Sequence, residues 1–282
     1  MQEPVKRTTT LPSGEAVPVL GQGTWNMGAR REARAQEVAA LKLGLDLGMT
    51  LVDTAEMYGE GGAEKVVAEA IAGRRDEVFV VSKFYPYHAA RAQLVQACEG
   101  SLKRLRIEAI DLYLLHWRGS VPFGETVETL ERLVADGKIR RWGVSNLDVP
   151  ELEEIAALDG GGNLATNQVL YNLAQRGVEF DLIPWCAGRN IPVMAYSPLD
   201  QGDLAEAASL RAIAQRAGAS SAQLALAWVL RHPNILAIPK ATRLEHVRAN
   251  RAAAELRLDA ATLEALDRIF APPQRKRPLQ MV

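Results

Sequence analysis

The chain has 282 residues, 48% of them apolar, and 33 Lys and Arg against 34 Asp and Glu give a formal net charge of -1. That length fits one large domain, and that apolar share supports a sizeable core, which excludes a globally disordered chain. The near-neutral balance gives no electrostatic reason for nucleic acid or an anionic membrane as partner.

Short runs rich in β-branched and aliphatic residues recur along the chain, each followed by a longer helical pattern. In order they are Val17-Val19-Leu20, Thr50-Leu51-Val52, Val78 to Val81, Ile110 to Leu115, Ile139 to Val144, Ala165 to Val169, Ile191 to Tyr196 and Ile235 to Ile238. Several are continuously apolar, as parallel strands covered on both faces must be. Between them, Val38, Leu41 and Leu45 keep helical spacing, as do Val127, Leu130 and Val134. Eight strand candidates alternating with helices predict an α/β fold, a (β/α)8 barrel. A doubly wound sheet is the rival reading. Asp200 to Arg231 holds two helical patterns, so an extra helix or a long loop precedes the eighth strand.

At the N-terminus, Val5 to Thr10 and Val17 to Leu20, joined through Pro12-Ser13-Gly14, predict a hairpin closing the bottom of the barrel. Residues 270–282 carry three prolines and Arg275-Lys276-Arg277 and read as an irregular, solvated tail. No linker divides the chain, so residues 1–282 are expected to form a single barrel domain. Cys98 shares an apolar stripe with Leu94, Leu102 and Leu105 and is expected in the core; no metal site is expected from it and Cys186. Met1 to Thr10 lacks the apolar segment of a secretory signal, and no apolar run approaches the roughly 20 residues of a membrane span. A cytoplasmic monomer is the expectation.

Barrel active sites form where strands end and βα loops begin. The second strand ends Leu51-Val52-Asp53, with Tyr58 one short turn later; the third ends Ser82-Lys83; the fourth ends Leu115-His116-Trp117. An acid, a phenol, an ammonium and an imidazole thus crown three consecutive strands about 4.8 Å apart. Singly, each has a plainer reading as a turn residue, a surface lysine, a rim tyrosine or a satisfied core histidine. Jointly they make an acid–base cluster. Tyr58 donates a proton to a developing alkoxide, Lys83 lowers the phenol pKa, Asp53 keeps Lys83 charged, and His116 orients the substrate oxygen. None of the four supplies electrons, so reduction requires a hydride carrier.

Around these residues the sequence resembles the aldo-keto reductase family, from about Leu20 to Asn250. The resemblance is carried by Gly21-Gln-Gly-Thr-Trp25, Val52-Asp-Thr-Ala-Glu-Met-Tyr-Gly59, Ser82-Lys-Phe84, Asp111-Leu-Tyr-Leu-Leu-His116, Trp142-Gly-Val-Ser-Asn146, Asn167-Gln168, Ala195-Tyr-Ser-Pro-Leu199 and Ile238-Pro-Lys-Ala241. It implies the (β/α)8 barrel, reduction of small aldehydes or ketones, and Asp53, Tyr58, Lys83 and His116 as the catalytic tetrad. It also implies that Ser145, Asn146 and Gln168 hold the nicotinamide carboxamide and that Tyr196 stacks on the nicotinamide ring. The rest of the implied cofactor track is Gly23, Thr24, Asp53, Ser197, Leu199, Ile238, Lys240, Ala241, Thr242, Arg243, His246 and Asn250.

This mode of binding accounts for a missing motif, since no strand-linked G-x-G-x-x-G is present. Members that prefer NADPH carry an Arg six residues after the Lys, where this chain has His246, and an acidic or amide residue where it has Ala249. Arg243 is positioned in sequence to compensate by meeting the 2′-phosphate. NADPH is the expected cofactor and NADH the alternative. Trp25, Tyr58, Phe84, Tyr85, His116 and Trp117 are the expected pocket wall, and the bulk of Trp117 favours compact aldehydes, 2-oxoaldehydes or keto sugars. Within the family the chain looks closest to the bacterial branch of small-aldehyde and diketo-acid reductases. Two other readings stand beside it: a nicotinamide-binding regulatory subunit with little turnover, and a barrel enzyme using Lys83 as a Schiff base.

Overall fold

A computed structural model describes residue 5 and residues 7–282. The readings on Met1 to Pro4 and Lys6, the signal segment and the start of the hairpin, lie outside the described residues. The chain begins with β1 (Thr8–Thr10) and β2 (Ala16–Pro18), which pair antiparallel with Thr9 opposite Val17. There follow β3 (Gln22–Gly23), α1 (Arg34–Asp46), β4 (Leu51–Asp53), α2 (Gly62–Ala70), β5 (Phe79–Phe84), α3 (Arg91–Leu105) and β6 (Leu112–Leu115). Next come α4 (Phe123–Ala135), β7 (Trp142–Ser145), α5 (Val149–Ala156), β8 (Asn167–Leu170), α6 (Leu182–Ala187) and β9 (Val193–Tyr196). The last part holds α7 (Asp203–Glu206), α8 (Ala208–Arg216), α9 (Ser221–Val229), β10 (Ile235–Ala237), α10 (Leu244–Ala253) and α11 (Ala260–Ile269).

Strands β3 to β10 pair in parallel, each with its sequence neighbour. The sheet closes on itself where Leu20 bridges Ala237 and where Gly21 N–H and Gly23 N–H donate to Ala237 O and Pro239 O at 2.9 and 3.1 Å. This closure is a (β/α)8 barrel and rules out the doubly wound sheet. The first barrel strand is Gln22–Gly23 rather than Val17 to Leu20. Val17 belongs to the hairpin, and of that run Val19, whose carbonyl accepts the Ala237 N–H at 2.8 Å, and Leu20 touch the seam. Gly23 is required there, since a Cβ on it would lie 2.6 Å from Ile238 O.

The period-2 alternation of each strand divides the core in two. Leu51, Phe79, Val81, Leu112, Leu114, Met194 and Leu236 fill the barrel, while Val52, Val80, Tyr113, Val144 and Val193 face the helices. Leu11 and Val17 join the inner group, so the hairpin plugs the barrel floor. Helix starts follow their caps: Asp148 with Glu151 opens α5, and Ser220 with Gln223 opens α9, each as a reciprocal capping box. Leu94, Cys98, Leu102 and Leu105 are buried on one face of α3 as the spacing predicts. Helices α7 and α8 are the addition before the eighth barrel strand.

Residues 270–282 contain no helix or strand, but the tail is not freely solvated. Lys276 bonds both Asp148 and Asp181, and Phe270 and Leu279 pack on the core. Among the described residues, no helix is long and apolar enough to cross a membrane, and no group of His, Cys, Asp or Glu is arranged to hold a metal ion.

Candidate active site

The alternation that points Leu51, Val81 and Leu114 into the barrel also points Asp53, Lys83 and His116 inward, at the C-terminal rim. Tyr58 arrives from the loop after β4, held by a Tyr58 N–H to Ala55 O bond of 3.1 Å. Lys83 is fully buried. Its ammonium donates to Asp53 Oδ2 at 2.8 Å, Thr54 O at 2.9 Å and the Tyr58 oxygen at 3.1 Å, which uses all three N–H groups. The Tyr58 and His116 rings meet edge to face at 5.8 Å. The four residues therefore converge on one volume.

Electrostatics sort their roles. Burial works to strip the Lys83 proton, but the Asp53 carboxylate and the Tyr58 oxygen outweigh it and leave its pKa above the ordinary lysine value. A saturated, protonated and inaccessible amine is not a nucleophile, which removes the Schiff-base reading. Burial pushes the Asp53 carboxyl up, opposed by Lys83 and by the Gln168 amide, which donates to Asp53 Oδ1 at 2.7 Å. The expected lowering of the Tyr58 pKa is present only as an opposing pull. Burial is the larger influence and leaves the phenol above its usual value. Tyr58 is thus protonated at neutral pH. His116 is pushed down to about 2 by burial and then by Lys83, so its imidazole is neutral, with Nδ1 buried and unpartnered.

Beyond the tetrad, strands β7, β8 and β9 present Ser145, Gln168 and Tyr196 at the same rim. Ser145 Oγ donates to Gln168 O at 2.9 Å. Asn146 adopts a left-handed conformation with φ 58°, tolerated by Asn better than by most residues. Its amide donates to His116 O at 3.1 Å, and its oxygen accepts the Tyr196 hydroxyl at 2.9 Å. Thr24 donates to Asp53 O at 2.9 Å. Asn167, beside Gln168, instead faces outward and donates to Leu147 O. After β10 the rim turns cationic. Lys240 and Arg243 are exposed, and Arg243 contacts His246 at 2.6 Å and Glu245 at 3.4 Å. Ala241 and Thr242 are half-buried, and Asn250 is buried. Leu199 and Ser197 flank the rim after β9, with Asn172 donating to Ser197 O at 2.9 Å.

A polar arc ending in cations fits a dinucleotide. Its nicotinamide end would lie against Ser145, Asn146, Gln168 and Tyr196, and its phosphates near Lys240 and Arg243, after the last barrel strand and at a helix start. His116, whose main-chain oxygen accepts the Asn146 amide, stands beside the uncharged part of this arc, its Nδ1 buried and without a partner.

Of the expected pocket wall, Tyr85, Trp117 and Trp25 stand at the mouth, Trp25 with 42% of its surface exposed. Phe84 does not join them. Adjacent to the inward Lys83, it must point outward, and its ring is buried against Tyr113 in the outer core. Glu56, His88 and Asn172 were not singled out in the sequence, yet each bonds a loop of the site. Glu56 carries a faint signal, since it sits inside the Asp53 to Tyr58 motif.

A model of the aldo/keto reductase family matches residues 19–271. The chain is 52% identical to the methylglyoxal reductase YeaE of Escherichia coli over 95% of this chain and 96% of that one. It is 32% identical to the glyoxal reductase of Bacillus subtilis over 95% and 94% of the two chains. An aldo/keto reductase of Klebsiella pneumoniae, solved with NADP and acetate, superposes with a TM-score of 0.96 at 53% identity, covering 99% of this chain and 100% of that one. The same genus and species has also yielded an NADPH complex of equal similarity. The chain belongs to the aldo-keto reductase family.

Proposed function

We propose that this chain reduces small aldehydes, with 2-oxoaldehydes of the methylglyoxal type foremost, to alcohols at the expense of NADPH. The observation that carries the reading is the Lys83 ammonium shared among Asp53, Thr54 O and Tyr58 beneath a neutral His116. The similarity to methylglyoxal and glyoxal reductases supports the substrate class, and the NADP and NADPH complexes of the Klebsiella relative support the cofactor.

When bound, NADPH supplies the hydride. The chain's own residues supply the rest. Ser145, Asn146 and Gln168 hold the carboxamide, and Tyr196 backs the ring. Gly23, Thr24, Ser197, Leu199, Ile238, Lys240, Ala241, Thr242, Arg243, His246 and Asn250 flank the remainder of the cofactor. His116, neutral, donates a hydrogen bond that fixes the carbonyl oxygen. Tyr58 passes its proton to that oxygen as negative charge develops there, and the phenolate left behind is stabilised by Lys83. Asp53 keeps Lys83 protonated throughout. Trp25, Tyr85 and Trp117 form the pocket mouth, where Trp117 beside His116 restricts depth and favours compact carbonyls.

The chain is read as one barrel domain over residues 1–282, acting as a cytoplasmic monomer. The deciding experiment follows NADPH oxidation with methylglyoxal and glyoxal, for the unmodified chain and for Tyr58→Phe. A general acid contributes about 10²- to 10⁴-fold, so Tyr58→Phe must lose at least that lower factor in kcat. Full turnover by the variant rejects the assignment.

A further inference from the structure

Tyr58 is followed by a turn that local preference does not favour. Gly59, Glu60 and Gly61 are successively left-handed, with φ of 58°, 53° and 80°, and the middle one is not glycine. A left-handed glutamate persists only where surrounding structure holds it. The turn's own bonds run from Gly62 N–H to Gly59 O at 2.8 Å and from Ala63 N–H to Tyr58 O at 3.1 Å. They shape the turn but do not fix it against the barrel.

Arg104, on the last turn of α3, does that. Its side chain lies across the turn so closely that a Cβ on Gly61 would stand 2.5 Å from its Cδ. Its Nε donates to Glu64 Oε2, and its Nη2 lies 3.9 Å from Glu56 Oε2. Glu56 stands before Tyr58 and Glu64 after it, so one guanidinium grips both ends of the segment that carries the phenol. The grip extends to the strand of Lys83. Glu64 is fully buried, and its Oε1 accepts the hydroxyl of Ser82, which points outward because Lys83 points in, at 2.7 Å. Glu56 N–H donates to Lys83 O at 3.2 Å, and its Oε1 accepts the Tyr85 N–H at 2.8 Å.

We propose that Arg104 is a positioning residue for the general acid. With Glu56 and Glu64 it sets the 3.1 Å approach of the Tyr58 hydroxyl to the Lys83 ammonium, from a helix outside the barrel. This rests on the reading of Tyr58 as the proton donor. The planar fork of arginine serves two carboxylates at once, where a lysine ammonium is a single point charge on a flexible stem.

The decisive variant is the double change Arg104→Met with Glu64→Gln. It removes one positive and one negative charge together, so the net charge behind Tyr58 is kept and Glu64 is not stranded as a buried ion. Its amide oxygen still accepts the Ser82 hydroxyl, and only the grip is lost. The readouts are the single-turnover rate of NADPH oxidation by methylglyoxal, its solvent deuterium isotope effect, and the NADPH Kd from fluorescence titration. A misplacement of about 1 Å costs up to about 10²-fold, so the rate falls about 10- to 100-fold. The isotope effect rises as proton transfer from Tyr58 slows, and the Kd is unchanged. Arg104→Lys keeps a cation for one carboxylate and falls by about tenfold. A double variant within about threefold of the unmodified rate overturns the proposal, as does an unmoved isotope effect or a loss of NADPH affinity equal to the loss of rate. Should the double variant fail to fold, Arg104→Lys decides by the same limits. Full turnover by Tyr58→Phe fells the parent reading and this one with it; a crippled Tyr58→Phe beside an unimpaired double variant defeats the role of Arg104 alone.

Discussion

Replacing Lys83 with methionine keeps the side chain to within one atom of its length and removes its charge. At the 3.1 Å separation of Lys83 Nζ from the Tyr58 oxygen, an ammonium and a phenolate attract by about 5 kcal/mol at an effective dielectric of ~20. That attraction is enough to move a phenol pKa by roughly 4. Water entering the space left by the ammonium recovers part of it, so kcat for methylglyoxal falls by about 10²- to 10⁴-fold. The same change strands Asp53, whose remaining side-chain partner is Gln168. Breaking a buried ion pair from one side costs about 3–5 kcal/mol, and the urea midpoint must drop accordingly. The double change Lys83→Met with Asp53→Asn removes both charges and regains most of that stability while activity stays low. NADPH oxidation and urea unfolding on the three proteins separate the two effects. A Lys83→Met chain that keeps more than about a tenth of its kcat would show that the ammonium does not stabilise the phenolate.

Stability also responds to pH through His116. Its folded pKa of about 2 lies far below the 6.5 of an unfolded imidazole, so below that value the unfolded chain binds a proton that the folded chain refuses. The contribution is fully present above pH 6.5 and erodes as the pH falls, by up to about 1.4 kcal/mol per pH unit; urea midpoints show a shallower dependence in His116→Asn, and an identical slope refutes this. Leu11→Ala empties the barrel floor and costs about 2–4 kcal/mol, read as a lower urea midpoint, with kcat unaffected because the site is at the opposite end. Arg243→Ala weakens NADPH binding about tenfold by removing a charge-assisted bond to the 2′-phosphate. NADH binding stays unchanged in the same calorimetric titration; equal losses for both cofactors would mean that Arg243 does not read the phosphate.

Seven of the eight barrel strands were legible because each is a buried apolar run between helical patterns. The first was not. Gln22–Gly23 is two residues long and has no branched side chain, while the apolar Val17 to Leu20 next to it looks far more like a strand. Its membership is decided by approach to β10, which no local pattern records. Asp53, Lys83 and His116 were legible because strand ends and period-2 alternation fix where they point. The same alternation, applied one residue further, places Phe84 outside the pocket; sequence proximity to Lys83 obscured it. The sign of the Tyr58 shift was missed because the charge beside it is written in the sequence and the depth of its burial is not. Glu56, His88 and Asn172 act through partners on other loops, with Glu56 and His88 separated by 32 positions, so only the folded chain pairs them.

The two-residue strand at the seam has a bearing on how the protein survives between turnovers. Thr24 continues directly from one side of the joint and Lys240 to Arg243 from the other, so a dinucleotide lying along this arc spans the narrowest stitch in the hoop. Binding to the closed form adds RT ln(1 + [L]/Kd) to the work of prising it open, about 2.7 kcal/mol when the ligand is at a hundred times its Kd. The cofactor is in that sense a clasp as well as a reagent. Amide exchange around Leu20 to Gly23 should slow on its addition more than anywhere else in the barrel, and a cell short of NADPH would lose this reductase to proteolysis sooner than one that is replete.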